Sequence, residues 1–130
     1  YISGNTLQIV ISGFFDSIGL YRKYSRKQEA AAREWLGATG LETFASTPFR
    51  QLSFARQRLA LICRALIKLP KLLILDEPTQ GLDDANRESL LAFLETVAER
   101  ELSTIIYVSH RLDEHRQFFR DHIDLDFKGQ

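Results

Sequence analysis

One short stretch restricts the fold more than any other: Lys71-Leu72-Leu73-Ile74-Leu75 has four consecutive aliphatic residues without alternation and closes on two acids, Asp76 and Glu77. Such a continuous apolar run predicts a strand covered on both faces, as in parallel sheets. Pro78 to Asp83, with Thr79, Gln80 and Gly81, has the composition of a turn. Asp83 or Asp84 then caps a helix to about Arg100 that carries Leu90, Phe93, Leu94 and Val97 on one side. The β-branched and aromatic run Thr104 to Val108 predicts the next strand, followed by Ser109 and His110. Strands joined through a helix run parallel, because the crossover returns the chain to the same starting edge. Asp76, Glu77 and His110 are therefore expected at one carboxyl edge of an α/β sheet, where open sheets of this kind bind ligands.

The chain before Pro70 is helical in pattern. The first fifteen residues read as a helix: Leu7, Val10, Ile11, Phe14 and Phe15 recur at helical spacing behind Ser3 or Asn5 as a cap, and Gly13 and Gly19 weaken its end. Asp16 to Leu20 is expected to be a connection. A second helix is expected from about Ser25 to Ala38, stopped around Gly37 and Gly40. Thr47-Pro48 is a break. A third helix starts near Ser53 and is expected to reach Leu69, with Leu59, Ile62, Cys63, Leu66 and Ile67 on one face and Arg56, Arg64 and Lys68 on another. Beyond His110, a helix is expected near Leu112 to Phe119. Ile123, Leu125 and Phe127 alternate with polar residues as a half-exposed final strand does.

Composition sets the outer bounds. The 130 residues match one domain, and 45% hydrophobic content is enough for a core. Seventeen basic and seventeen acidic residues cancel, so no overall positive field collects nucleic acid, and none is expected as a partner. The single cysteine, Cys63, has no partner for an internal disulfide and suits a reducing, cytoplasmic setting. No apolar run approaches the roughly 18 residues needed to span a bilayer.

The sheet edge permits phosphate chemistry. An acid closing a buried strand is costly unless paired or bound to a cation, so Asp76 is placed to hold Mg²⁺ directly or through water. Glu77, one residue on, can polarise the water that attacks a terminal phosphate, and His110 can contact that phosphate from the neighbouring strand. Alternatively, the two acids cap a turn before Pro78 and His110 is incidental. An isolated Asp-Glu pair favours that plainer reading, whereas the ordered combination of elements does not.

In order, Leu52-Ser53-Phe54-Ala55-Arg56-Gln57-Arg58, Leu72-Leu73-Ile74-Leu75-Asp76-Glu77-Pro78, Gly81-Leu82-Asp83 and Val108-Ser109-His110 resemble the signature, Walker B, D-loop and H-loop of ABC-type ATPases. Ile11 to Gly19 and Trp35-Leu36 look like the second ATPase half of a molybdenum-transport branch of that family. The resemblance implies the C-terminal part of a P-loop NTPase domain, with residues 1–70 a helical subdomain bearing the signature helix and residues 71–130 the back of the nucleotide-binding core. It implies ATP and Mg²⁺ as cofactors, with Glu77 and His110 catalytic and Asp76 on the metal. Ser53, Ala55 and Asp83 would meet ATP across a dimer interface. The implied partners are a second ATPase half or a second copy, and a membrane permease at the inner face of the membrane.

Two departures qualify that picture. Phe54, Ala55 and Arg56 stand where the family has two glycines and a glutamine, and glycine is what lets backbone approach a ligand closely. Arg56 adds positive charge at that place. None of the seven glycines belongs to a Gly-x-x-x-x-Gly-Lys-Ser/Thr loop, so the amides that cradle the β and γ phosphates are missing from this stretch and the chain alone is expected to be inactive. Three functions stay open: an ATPase piece that energises import of molybdate or another solute, a non-transport ABC ATPase of DNA repair or the ribosome, and a non-catalytic module that pairs with other ATPase subunits.

Overall fold

Local capping chemistry determines where each helix begins. The computed structural model describes residues 4–15 and 23–111. Helix α1 (Thr6–Ile11) starts at Asn5, whose side chain accepts from the Gln8 amide at 2.8 Å while the Gln8 side chain accepts from the Asn5 amide at 2.9 Å. The next free amides of this helix start, Thr6 and Leu7, donate to the carbonyls of Thr47 and Ala45, so the loop before α3 completes the cap. Helix α2 (Arg26–Ala38) repeats the reciprocal cap with Ser25 and Gln28. Its end is a left-handed turn at Gly40, φ +74°, with Leu41 donating to Leu36 and Gly40 to Gly37.

Helix α3 (Phe54–Leu66) starts on Ser53, as expected, but ends three residues before Leu69. Leu69 stands at φ +51°, its amide bonded to Leu66, because the following Pro70 disfavours right-handed helical backbone at the residue before it. Strand β1 (Leu72–Asp76), helix α4 (Asp84–Glu99) and strand β2 (Thr104–Val108) follow, and the strands pair in parallel from Leu72 with Thr104 to Asp76 with Val108. This is the crossover topology expected from the sequence. Ser3, the expected connection at 16–20, the expected helix near Leu112 to Phe119 and the expected strand over Ile123 to Phe127 lie outside the described residues.

Two apolar clusters hold these elements. Ile9, Val10 and Ile11 of α1 pack with Ala32 and Leu36 of α2 and Ala60 and Cys63 of α3. Ile62 and Leu66, on the next face of α3, pack with Leu73 of β1 and Leu90, Leu94 and Val97 of α4. Trp35 and Leu59 touch both clusters, and the Trp35 ring meets Phe93 edge-on at 6.0 Å between centroids. The short 3₁₀ turn Ser12–Phe15 that follows α1 lies close against α3 at Gly13. A Cβ there would lie 2.3 Å from the Arg64 carbonyl oxygen and 2.7 Å from Ile67 Cγ2. The helix expected through Phe15 thus ends at Ile11 and continues as a 3₁₀ turn, in which Gly13 admits the α3 backbone.

One expectation is corrected. The strands are not covered on both faces among the described residues: Leu73 is buried, but Leu72 is 49% and Ile74 62% exposed, with Ile106 and Val108 open beside them. Helices α3 and α4 cover one face, and no described element lies over the other.

Candidate functional site

Asp76 is the last residue of β1, and Glu77 leaves the strand with its amide donating to the Val108 carbonyl at 2.8 Å. Glu77 stands at φ +50°, a left-handed conformation that costs a side-chain-bearing residue about 1–3 kcal/mol. Two backbone bonds, Gln80 to Glu77 and Leu82 to Thr79, close the turn that follows. The twist re-aims the carboxylate across the sheet edge. There its Oε1 accepts the His110 amide at 2.9 Å and stands 3.4 Å from His110 Nε2. The Glu77 side chain is 21% exposed and the His110 side chain 91% exposed. A half-buried carboxylate is thereby presented beside an imidazole that faces solvent.

Asp76, Glu77 and His110 line one open hollow of about 620 Å³ with Thr79, Gly81 and Arg111. The structure brings the three edge residues together as the parallel topology requires. It corrects the reason given for Asp76: this carboxylate is exposed, so desolvation does not demand a cation there. No cluster of three or more acidic, histidine or cysteine ligands occurs among the described residues. A single carboxylate at the lip of a hollow suits Mg²⁺ all the same, because that ion keeps several waters and takes its remaining ligands from phosphate oxygens.

Ser53 and Asp83 serve as helix caps. Ser53 Oγ accepts from the Arg56 amide at 3.3 Å, and Asp83 Oδ1 accepts from the Asn86 amide at 2.8 Å. Both are exposed, and Ala55 sits half-buried in the first turn of α3. None of these three belongs to the hollow at the strand edge. The link between the two regions is Arg58, whose guanidinium donates to the carbonyls of Pro78 and Gln80. Sequence reasoning assigned Arg58 no role. Its spacing of four from Phe54 was the available signal, since such pairs share a helix face. Arg56 turns the other way and lies over the Phe44 ring at 4.3 Å.

With this geometry in view, the likeness to known proteins becomes specific. A family model described as ABC transporter matches residues 4–80. The chain is 41% identical to the ABC transporter ATP-binding protein ModF of Escherichia coli over 114 residues, 87% of this chain and 23% of that protein. It is 38% identical to the ABC transporter ATP-binding protein YlmA of Bacillus subtilis, over 88% of this chain and 44% of that one. This chain belongs to the ABC transporter ATP-binding family. Among solved structures, a dimer of the ATP-binding cassette MJ0796 bound to ADP and Pi superposes with a TM-score of 0.68 at 26% identity, covering 85% of this chain and 48% of that chain. The described fold is accordingly that of part of a P-loop ATPase cassette, and the chain spans less than half the length of these relatives. The ABC family as a whole couples such cassettes, in pairs, to ATP hydrolysis, and no described helix here is long and apolar enough to cross a membrane.

Proposed function

We propose that this chain supplies the hydrolytic edge of an ABC-type ATPase site, completed by a phosphate-binding loop from another segment or chain. The observation that carries the reading is the bond from the His110 amide to the Glu77 carboxylate, which joins the ends of two parallel strands beside Asp76. Glu77 is the general base. Its Oε1 is engaged by His110, and Oε2 is left to take a proton from the attacking water. The exposed His110 ring would contact the terminal phosphate, and Asp76 would hold Mg²⁺. When bound, that ion supplies charge neutralisation on the phosphate oxygens.

Ser53 and Ala55, at the start of α3, and Asp83, at the start of α4, face a nucleotide held by a second ATPase half or a second copy. Free amides at a helix start favour an anion, which supports this assignment. The division into a helical part, residues 1–70, and a core part, residues 71–130, belongs to the same reading, with α3 serving both. The protein acts in the cytoplasm at the inner face of the membrane with a permease. Molybdate is the first solute to test, given the resemblance of Ile11 to Gly19 to molybdenum-transport members.

The decisive experiment uses a protein that joins this chain to its phosphate-loop half. Glu77→Gln is expected to retain ATP binding and lower turnover by about 10²-fold or more. Unchanged turnover rejects Glu77 as the base. This chain alone is expected to show no micromolar binding of Mg-ATP by calorimetry.

A further inference from the structure

Arg58 reaches twenty residues along the chain, from the second turn of α3 to the turn that follows Glu77. Its Nη1 donates to the Pro78 carbonyl and its Nη2 to the Gln80 carbonyl, the latter at 3.5 Å. The Phe54 ring, one helical turn earlier, lies under the same guanidinium at 4.8 Å. That ring also closes on Gly81: a Cβ at Gly81, φ +84°, would sit 2.9 Å from Phe54 Cε2. One planar cation, one aromatic ring and one side-chain-free position therefore grip a single turn from two directions.

The grip has a chemical target. Glu77 is held off the favoured backbone region at φ +50°, and Gln80 and Leu82 close the turn by donating to the carbonyls of Glu77 and Thr79. A turn that carries a strained residue persists only where its surroundings over-determine it. Both carbonyls that Arg58 engages lie within three residues of Glu77. A guanidinium offers a fixed fork of donors, so it specifies the orientation of both carbonyls together, which a lysine ammonium does not. Phe54 is 53% exposed, which makes it a poor contributor to the core and leaves the contact with Arg58 and Gly81 as its visible employment.

We propose that Arg58, braced by Phe54, is a positioning residue that holds the Pro78–Gly81 turn and through it the Glu77 carboxylate. The substitution of Phe54 for the family's glycine then serves a purpose in this chain: it supplies the brace. The start of α3, with Ser53 and Ala55, and the edge with Glu77 and His110 move as one piece. This rests on the reading of Glu77 as the base.

The test measures the protein joined to its phosphate-loop half, by steady-state ATP hydrolysis and by amide hydrogen exchange. Arg58→Ala is expected to lower kcat about 10- to 100-fold, the scale of a 1 Å misplacement, with KM for ATP within about twofold of the parent. Exchange at the Gln80 and Leu82 amides should accelerate several-fold while Leu73 to Leu75 in β1 keep their protection. Arg58→Lys restores part of kcat, and Phe54→Leu falls between. Should Arg58→Ala fail to fold, loss of protection in β1 reveals it, and Arg58→Lys with Phe54→Leu carry the test. Unaltered exchange at Gln80 and Leu82 overturns the proposal, as does faster exchange with parental kcat, or a rise in KM alone. Glu77→Gln run alongside separates the two ideas. Full activity of that variant removes the base assignment, whereas an inactive Glu77→Gln beside a fully active Arg58→Ala removes the latch alone.

Discussion

Replacing Gly13 by alanine should cost this chain about 2 kcal/mol, and the sign is more telling than the size. The added Cβ would stand 2.3 Å from the Arg64 carbonyl oxygen, more than 1 Å inside the ~3.5 Å at which non-bonded contacts become favourable. That oxygen belongs to the backbone of α3, so no side chain can swing aside to relieve it. The Ser12–Phe15 turn must move off α3 by about 1 Å, and a gap of that size forfeits roughly a quarter to a half of each dispersion contact across it. Ile9, Val10 and Ile11 are wholly buried in the affected cluster. Overpacking of this kind costs about 1–3 kcal/mol, against which the stiffer unfolded chain returns only about 0.4–1 kcal/mol. Thermal unfolding followed by far-ultraviolet circular dichroism should show Tm lowered by roughly 6–10 °C. Gly37→Ala is the internal control. Gly37 lies within α2, and a Cβ there meets only the tip of the Glu42 side chain at 3.3 Å, so the same substitution should stabilise by about 0.5–1 kcal/mol. A Gly13→Ala protein as stable as the parent, or more so, would refute the close packing of the Ser12–Phe15 turn on α3.

Two further tests are independent of nucleotide. Helix α4 ends in the same left-handed motif as α2, with Leu102 donating to Val97 and Glu101 to Ala98, but with Glu101 at φ +54° in the place that glycine takes in α2. Glu101→Gly should therefore stabilise by about 1 kcal/mol in urea unfolding, and destabilisation would contradict the motif. Cys63 is fully buried, and burial pushes its thiol up from 9.0 to about 12, partly offset by Thr39. The folded state thus holds a proton that the unfolded state releases. Its contribution is fully present below about pH 9 and lost as pH rises toward 12, by up to about 1.4 kcal/mol per pH unit. Cys63→Ala should flatten the alkaline limb of stability against pH, and an aromatic disulfide reagent at neutral pH should label the thiol only after denaturant is added.

What was legible in the sequence is what short-range chemistry determines. Ser25, Ser53 and Asp83 are polar residues placed just before apolar helical patterns, and each caps a helix. The apolar runs that end at Asp76 and Val108 became parallel partners in register, which brought Glu77 and His110 within hydrogen-bond reach. The rest depended on distant neighbours. Gly13 looked like a helix breaker because nothing local reveals that residues 64 and 67 press on it. Arg58 looked like one more charged residue because its acceptors lie twenty and twenty-two positions away. The exposure of Asp76 was invisible for a related reason: whether a strand end is dry depends on what lies over the strand, which its own residues do not specify.

The open face of the sheet ties the readiness of the strand edge to assembly. Among the described residues the sheet has two strands, held on one side by α3 and α4, while Leu72, Ile74, Ile106 and Val108 stand exposed on the other. A surface that covers those four side chains binds the paired strands and not the unpaired ones. Its occupancy therefore adds RT ln(1 + [L]/Kd) to their persistence, about 2.7 kcal/mol at a hundredfold excess over Kd. The register that holds Glu77 against His110 is stabilised by the same amount, so docking on one side of the sheet and order at its end are two readings of one linked equilibrium.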